Sequence, residues 1–522
     1  MSLTILIPLL LITYATTAII ENRLVVRLST TLLGLQLVFL IAFNIANWLG
    51  RDGFNNTVIA HLKYLLDWGT LIRFWPIAIL TLAALLFSLL GLAFLERRII
   101  KTSINTSSVF RTFITLIAPS TLLILLALNP LTQDLAAIAK TRSLERQYQI
   151  SEHETKLQII APPIGSISPE KKFDFVIIFA ESLEATFFDE KWFPGLMSST
   201  NRLIQDRGLR HQGIKDLTLS NWTDSGLTAA TCGLSMTVDF TEASKTKLSA
   251  QKIAARKASS TLRGETCIGD ILHSDGYQLA FIGGSEFGWE SKERLFRQQG
   301  FDRFFGEKEI QSQQQSPKPT TTWGVYDDTL FDTTLNIIKQ RNQRSPQGLV
   351  VLTVDTHTPG YPSPKCVNLT YLDLGDKLLD AAHCADHLIS GLISEIIQAE
   401  STKDTVIFLI SDHLYPGELK SEGKSIPRQQ RENMFAVFNS RLPLDKQQLI
   451  PPRIATSLDV APTILAHLGY DIKTLNFGRN ISEIAPTLAE TYGLQKLSLN
   501  IVNLRNKLRA YWKQELLNAE TD

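Results

Sequence analysis

The pattern of apolar and polar positions divides the chain near residue 134. Before that point, four uncharged apolar stretches reach bilayer length: Ser2–Ile20, Leu28–Gly50, Phe74–Leu95 and Thr112–Gln133. Four such segments so close together predict a transmembrane region over residues 1–134 rather than the buried helices of a soluble core. The first stretch lacks a basic leader and a small-residue cleavage site, so it is expected to remain as a span. From Phe173 onward the pattern changes. Phe173–Ala180 and Thr405–Ile410 are continuous apolar runs of strand length, as in strands buried on both faces. Further strands are predicted at Gln278–Ile282, Leu349–Val354 and Met434–Phe438. Helical periodicity marks Thr329–Gln340, Ala382–Ala399 and Ser457–Leu468, with a small-residue helix over Leu227–Gly233. Strands alternating with helices predict an α/β domain with a largely parallel central sheet over residues 173–489.

Between the two regions, residues 135–172 read as a linker. Lys140–Lys156 is polar and helical in pattern, and the Pro-, Gly- and Ser-rich run Ala161–Pro169 breaks regular structure. Residues 490–522 form a tail in which Arg505, Lys507, Arg509 and Lys513 are mixed with Leu and Trp, the pattern of a surface or interfacial helix. The basic residues orient the spans. Arg23 and Arg27 lie in one short loop, and Arg97, Arg98, Lys101 and Arg111 lie in another, so both loops belong in the cytoplasm. The loop Arg51–Arg73 and everything after the fourth span are then expected outside.

Charge excludes one class of partner. The 52 basic and 51 acidic residues leave a net charge of +1, and no basic run is interleaved with aromatics, so nucleic acid is not an expected ligand. The four cysteines, Cys232, Cys267, Cys366 and Cys384, all fall in the outer region. An even number in an oxidising compartment points to two disulfides. Three connectivities are possible, of which proximity favours Cys232–Cys267 with Cys366–Cys384.

The chemistry-bearing residues gather where strands end. Glu181 follows the first buried run, and Asp412-His413 follow the Thr405–Ile410 run; chemistry in a parallel sheet lies just past the carboxyl ends of its strands. Read singly, Glu181 is a first-turn carboxylate, Asp412 a helix cap and His413 a surface histidine. Read together they form an O/O/N set suited to Mn²⁺, Mg²⁺ or Zn²⁺. Thr223 opens a small-residue helix, where a hydroxyl is either an N-cap or a nucleophile, and Ser220 and Ser225 compete for the role. His357 lies at another strand-to-loop junction, placed to assist a leaving group. Trp289, Lys292 and Arg294 follow the Gln278–Ile282 strand and could line a site for a phosphate-bearing ligand, or form one solvated helix face.

The set Glu181-Ser182-Leu183-Glu184, Thr223 before a Gly/Ala-rich helix, Gly300-Phe301-Asp302, Trp323-Gly324-Val325-Tyr326-Asp327-Asp328, Asp355-Thr356-His357 and Ser411-Asp412-His413 resembles the phosphoglycerol transferases. These belong to the alkaline phosphatase/sulfatase superfamily and include the lipoteichoic acid synthases. The resemblance implies an alkaline phosphatase/sulfatase-like domain behind a four-helix membrane region in the inner membrane, with the catalytic domain in the periplasm. It implies that Glu181, Thr223, Asp412 and His413 bind one divalent metal, Mn²⁺ or Mg²⁺ and otherwise Zn²⁺. Thr223 would be the nucleophile and His357 would contact the phosphate. Trp289 and Lys292 would bind substrate, Lys292 falling one residue from the position of a lipoteichoic acid synthase arginine. The donor implied is phosphatidylglycerol, the acceptor a periplasmic glucan or another glycan, and the family's cysteine positions match the proximity pairing. A sulfatase is disfavoured because no Cys/Ser-x-Pro-x-Arg follows Phe173. A phosphoethanolamine transferase or a metal-dependent phospholipid hydrolase of the same superfamily is the alternative activity, and a membrane-tethered glycan sensor the non-enzyme one.

Overall fold

The computed structural model describes residues 23–50, 58, 108–147, 168–217, 220–236, 265–287, 292–340, 345–399, 401–402, 404–442, 453–501 and 504–505. The chain divides into two compact units, residues 1–147 and 148–522, so the boundary falls inside the stretch read as a linker.

In the first unit, α1 spans Arg23–Gly50, α2 spans Ser108–Ala127 and α3 spans Pro130–Gln147. Within α1, Val25–Asn47 is long and apolar enough to cross a bilayer, and it contains most of the span expected at 28–50. The span expected at 112–133 falls on two helices that together are long and apolar enough to cross a bilayer, bent by 56° between Ile117–Ala127 and Pro130–Lys140. Proline explains the break. Pro130 has no N–H to continue α2, but it suits the first position of α3. The Asn129 carboxamide oxygen accepts from Leu131 N at 3.1 Å, and its amide donates to Gln36 Oε1 at 2.9 Å. Gln36 in turn donates to Leu122 O at 3.2 Å, so two buried polar side chains satisfy each other and the backbone where α1 meets α2. The spans expected at 2–20 and 74–95 lie outside the described residues.

In the second unit the elements run β1 (Phe175–Ala180), α4 (Ser198–Arg207), β2 (Gly208–His211), α5 (Thr223–Cys232), α6 (Ile268–Ser274), β3 (Gln278–Gly283), α7 (Lys292–Arg297), β4 (Arg303–Phe305), α8 (Asp327–Lys339), β5 (Gln347–Leu352), α9 (Lys377–Gln398), β6 (Val406–Ser411), β7 (Phe435–Phe438) and α10 (Val460–His467). Seven strands form one sheet in the order β2-β7-β6-β1-β5-β3-β4. β1 pairs in parallel with β5 and β6, and β3 in parallel with β4 and β5. Only β7 runs against the rest, antiparallel to both β2 and β6. The predicted α/β class and largely parallel sheet are therefore the observed ones.

β1 is central because every one of its residues is buried. Its side chains alternate between two cores: Phe175, Ile177 and Phe179 enter one face of the sheet, while Val176, Ile178 and Ala180 enter the other. α5 and α10 cover the first face and α9 the second. Both disulfides join elements of this unit, Cys232 to Cys267 and Cys366 to Cys384, the pairing that proximity favoured.

Candidate active site

Register brings the candidate ligand residues together. Ala180 pairs with Ser411 at the carboxyl ends of β1 and β6, so Glu181 and Asp412 leave the sheet side by side. α5 lies against them because residue 226 is glycine. A Cβ there would stand 1.9 Å from the Asp412 carbonyl oxygen. That close approach places Thr223, the first residue of α5, over the strand ends.

Glu181, Asp412 and His413 each offer a ligand atom, and these atoms lie within 4.8 Å of one another, all buried. Thr223 Oγ1 donates to Glu181 Oε2 at 3.2 Å and stands 3.5 Å from His413 Nε2. His413 Nε2 is 3.4 Å from Asp412 Oδ2 and 3.6 Å from Glu181 Oε1. The rest of each ligand is already engaged. Asp412 Oδ1 accepts from Ser182 N at 2.8 Å and from His413 N at 2.9 Å, while Oδ2 is buried with no partner. His413 Nδ1 donates to Leu414 O at 2.8 Å, because a carbonyl can only accept, which leaves the Nε2 lone pair of the neutral ring turned to the cluster. Ser182 Oγ donates to Glu181 Oε1 at 2.9 Å. An orphaned carboxylate oxygen facing an imidazole lone pair and a second carboxylate is a donor set that fits a divalent cation.

The electrostatics point the same way. Burial, and then Glu181, push the Asp412 carboxyl up to about 7. Burial also opposes ionisation of Glu181, but charged His357 and His413 and the Ser182 hydrogen bond outweigh it, and Glu181 sits below its ordinary value. Burial disfavours the charged form of His413, yet Asp412 and Glu181 raise it overall. Asp412, buried beside the Glu181 carboxylate, holds on to its proton, and a cation would displace it.

The rival hydroxyls are committed elsewhere. Ser220 Oγ exchanges hydrogen bonds with the Leu217 peptide at 2.9 Å, and Ser225 Oγ donates to Trp222 O at 2.9 Å in the capping box of α5. His357 follows β5, the neighbour of β1. Its Nδ1 donates to Thr358 O at 3.2 Å, and its ring stacks on Trp323 with centroids 3.7 Å apart. It lies close enough for its charge to hold Glu181 down. Lys292 opens α7 and is buried; α7 follows β3, which lies two strands from β1. Trp289 lies outside the described residues.

Several supporting residues escaped the sequence reading. Thr353 Oγ1 accepts from Glu181 N at 2.9 Å and Thr356 Oγ1 donates to Glu181 O, so the segment that follows β5 clamps the Glu181 peptide. Asp327 accepts from Val354 N at 2.8 Å and Asp355 N at 3.3 Å; burial pushes its carboxyl up to about 7. Arg431 donates through Nε to Glu184 at 2.9 and 3.1 Å, deep in the protein. Asp327 and Glu184 stood inside recognisable motifs, but nothing in the sequence marked Arg431.

A largely parallel sheet with a buried carboxylate–histidine cluster at its carboxyl edge and a threonine opening the helix above it is the arrangement of the alkaline phosphatase-like α/β class. The chain belongs to the sulfatase family, whose model matches residues 174–470. Residues 1–144 match a second model, the phosphoglycerol transferase I N-terminal domain. A phosphoglycerol transferase I of Xanthomonas campestris pv. campestris is 28% identical over 463 residues, 87% of this chain and 61% of the relative. One of Escherichia coli is 30% identical over 353 residues, 67% of this chain and 43% of the relative. The chain thus spans less than two thirds of the length of these relatives. Among solved structures, an alkaline phosphatase superfamily protein from Vibrio parahaemolyticus is 21% identical with a TM-score of 0.48, covering 67% of this chain and 80% of its own. The lipoteichoic acid synthase LtaP of Listeria monocytogenes is 14% identical with a TM-score of 0.47, covering 70% of this chain and 98% of its own.

Proposed function

We propose that the protein is a membrane-bound phosphoglycerol transferase of the inner membrane with its catalytic domain in the periplasm. It moves glycerol phosphate from phosphatidylglycerol to a periplasmic glucan or related glycan and releases diacylglycerol. The observation that carries this reading is Thr223 Oγ1, held 3.2 Å from Glu181 Oε2 at the amino end of α5.

Glu181, Asp412, His413 and Thr223 would hold one divalent metal, Mn²⁺ or Mg²⁺ by the oxygen-rich donor set and Zn²⁺ as the alternative. Bound there, the metal would act as a Lewis acid toward the phosphoryl oxygens and the threonine hydroxyl. The chain's own residues do the remaining work. Thr223 Oγ is aimed for in-line attack on phosphorus, and its proton leaves along the hydrogen bond to Glu181. As the Thr223 O–P bond forms, the bond from phosphorus to the diacylglycerol oxygen breaks, and charged His357 protonates that oxygen. The amide dipoles at the start of α5 favour the extra negative charge. A glycan hydroxyl then gives its proton to His357 as its oxygen bonds to phosphorus, the Thr223 O–P bond breaks, and Thr223 takes its proton back from Glu181. Two steps through one threonine let lipid and glycan use a single pocket in turn, and a bilayer anchor keeps a lipid donor at high effective concentration.

The test is transfer of labelled glycerol phosphate from phosphatidylglycerol vesicles to a glucan acceptor, with and without Mn²⁺. Label should reach the acceptor only with metal, and Thr223→Ala should lower transfer by about 10³-fold or more. Diacylglycerol released without acceptor labelling would make the protein a hydrolase. Full metal-dependent activity in Thr223→Ala would remove the nucleophile.

A further inference from the structure

Within the described residues of the second unit, five large apolar side chains are well exposed, and three of them share one loop: Val367 at 78%, Leu372 at 65% and Leu374 at 60%. That loop connects β5 to α9, so it leaves the sheet at the carboxyl edge, as His357 does. It is tied to the site from within. Ser363 Oγ bonds the Asp355 carboxylate, Tyr361 N donates to Asp355 O at 2.8 Å, and the disulfide Cys366–Cys384 anchors the loop to α9.

The loop is built to keep its apolar side chains out. Tyr371 is buried between them, donating through its hydroxyl to Pro194 O at 3.0 Å and through its N–H to Asp380 Oδ1 at 2.8 Å. Leu374 N closes a turn on Tyr371 O at 3.2 Å, with Leu372 and Asp373 in the left-handed region at φ 51° and 52°. This turn geometry suits Asn or Gly and strains a leucine at its first central position. Strain that presents an apolar side chain to solvent beside a candidate site calls for a function.

We infer that the 367–374 loop inserts into the surface of the lipid bilayer and holds the mouth of the site at headgroup depth; this rests on the phosphoglycerol transferase reading. Two features select lipid. A patch of three side chains falls short of the ~800 Å² per partner of a stable protein interface. Its contributors are aliphatic, whereas a glycan calls for aromatic platforms and hydrogen-bonding groups. The chain also carries its own apolar helix of bilayer length, Val25–Asn47, which keeps a bilayer within reach.

The test uses the full chain in vesicles of phosphatidylethanolamine and phosphatidylglycerol. All four native cysteines are paired, so Leu372→Cys supplies one thiol for an environment-sensitive fluorophore. Asp404→Cys, exposed at the opposite edge of the sheet, is the control. The label at 372 should be quenched several-fold more by lipids spin-labelled near the headgroup than the label at 404. Equal quenching, or a shielded label at 372 insensitive to lipid quenchers, overturns the inference, the latter in favour of a protein partner. In a second arm, Val367→Ser/Leu372→Asn/Leu374→Ser should lower transfer from vesicle phosphatidylglycerol about tenfold while sparing monomeric dihexanoyl phosphatidylglycerol. Equal loss on both substrates also overturns it. If the unmodified protein transfers from neither lipid, the transferase reading fails, while the quenching result still decides whether the loop meets the bilayer.

Discussion

Ser182 stands between the two carboxylates of the cluster. Its N–H donates to Asp412 Oδ1 at 2.8 Å, its hydroxyl donates to Glu181 Oε1 at 2.9 Å, and its φ is 54°. These contacts occupy one oxygen on each carboxylate and so fix which oxygen remains for a cation. Ser182→Gly keeps the backbone conformation and removes the hydroxyl, whereas Ser182→Ala removes the hydroxyl and keeps the strain. Both variants should bind Mn²⁺ about 10–100-fold more weakly in isothermal titration, with Ala at least as weak as Gly. Unchanged affinity would show that Glu181 needs no help from this hydroxyl. Much of this residue-scale picture was legible: Glu181, Asp412 and His413 follow apolar runs too plain to misread, and Thr223 opens a helix. Ser182 was visible only as a letter in a motif, because its role depends on a left-handed backbone that no side-chain pattern encodes.

Two loops carry Glu181 and Asp412-His413, and a buried ion pair joins them. Glu184, on the loop after β1, accepts from Tyr415 N at 3.0 Å on the loop after β6. Arg431 binds Glu184 through two nitrogens and also donates to Gly417 O at 3.1 Å and to Tyr415 O. Both side chains are almost wholly inaccessible, so removing one partner leaves the other charge uncompensated. Arg431→Met should cost about 3–5 kcal/mol in urea unfolding, and adding Glu184→Leu should recover much of it. If the single variant loses less than about 1 kcal/mol, the pair behaves as a surface bridge and does not hold the loops. This link was invisible in the sequence because Arg431 and Glu184 are 247 positions apart and meet only once the sheet has formed. The same reason hid the sheet order and the reversed direction of β7, while strand positions were readable from burial on both faces. The break at Asn129-Pro130 was hidden differently: a hydropathy pattern averages over one proline, and the backbone does not.

At the scale of the whole molecule, acid stability rests on buried groups pulling in opposite directions. His211 on β2 and His467 on α10 meet through their Nε2 atoms at 2.8 Å among Phe408 and Phe435. Ser440 Oγ engages His467 Nδ1 at 2.6 Å, while His211 Nδ1 is buried with no hydrogen-bond partner. Burial pushes His211 down to about 4, and burial and then His211 push His467 well below its ordinary value. Between the usual histidine range near 6.5 and about 4, the unfolded chain binds protons that the folded protein refuses, so this pair withdraws stability as pH falls. The raised carboxyls act with opposite sign. Asp412 and Asp327 at about 7 and Asp459 at about 6 keep protons that the unfolded chain releases, so they add stability as pH falls through the same window. A pH profile of the unmodified protein therefore mixes the two, and a difference measurement is needed. His211→Gln/His467→Gln removes both titrations and retains a side-chain donor and acceptor at each position. The stability of this variant relative to the unmodified protein, read from the urea midpoint, should rise steadily from pH 7 to pH 4.5, by a change on the order of 5 kcal/mol for the two histidines together. A difference independent of pH would mean that the two imidazoles already take up protons inside the fold, and that the acid response belongs to the carboxyls alone.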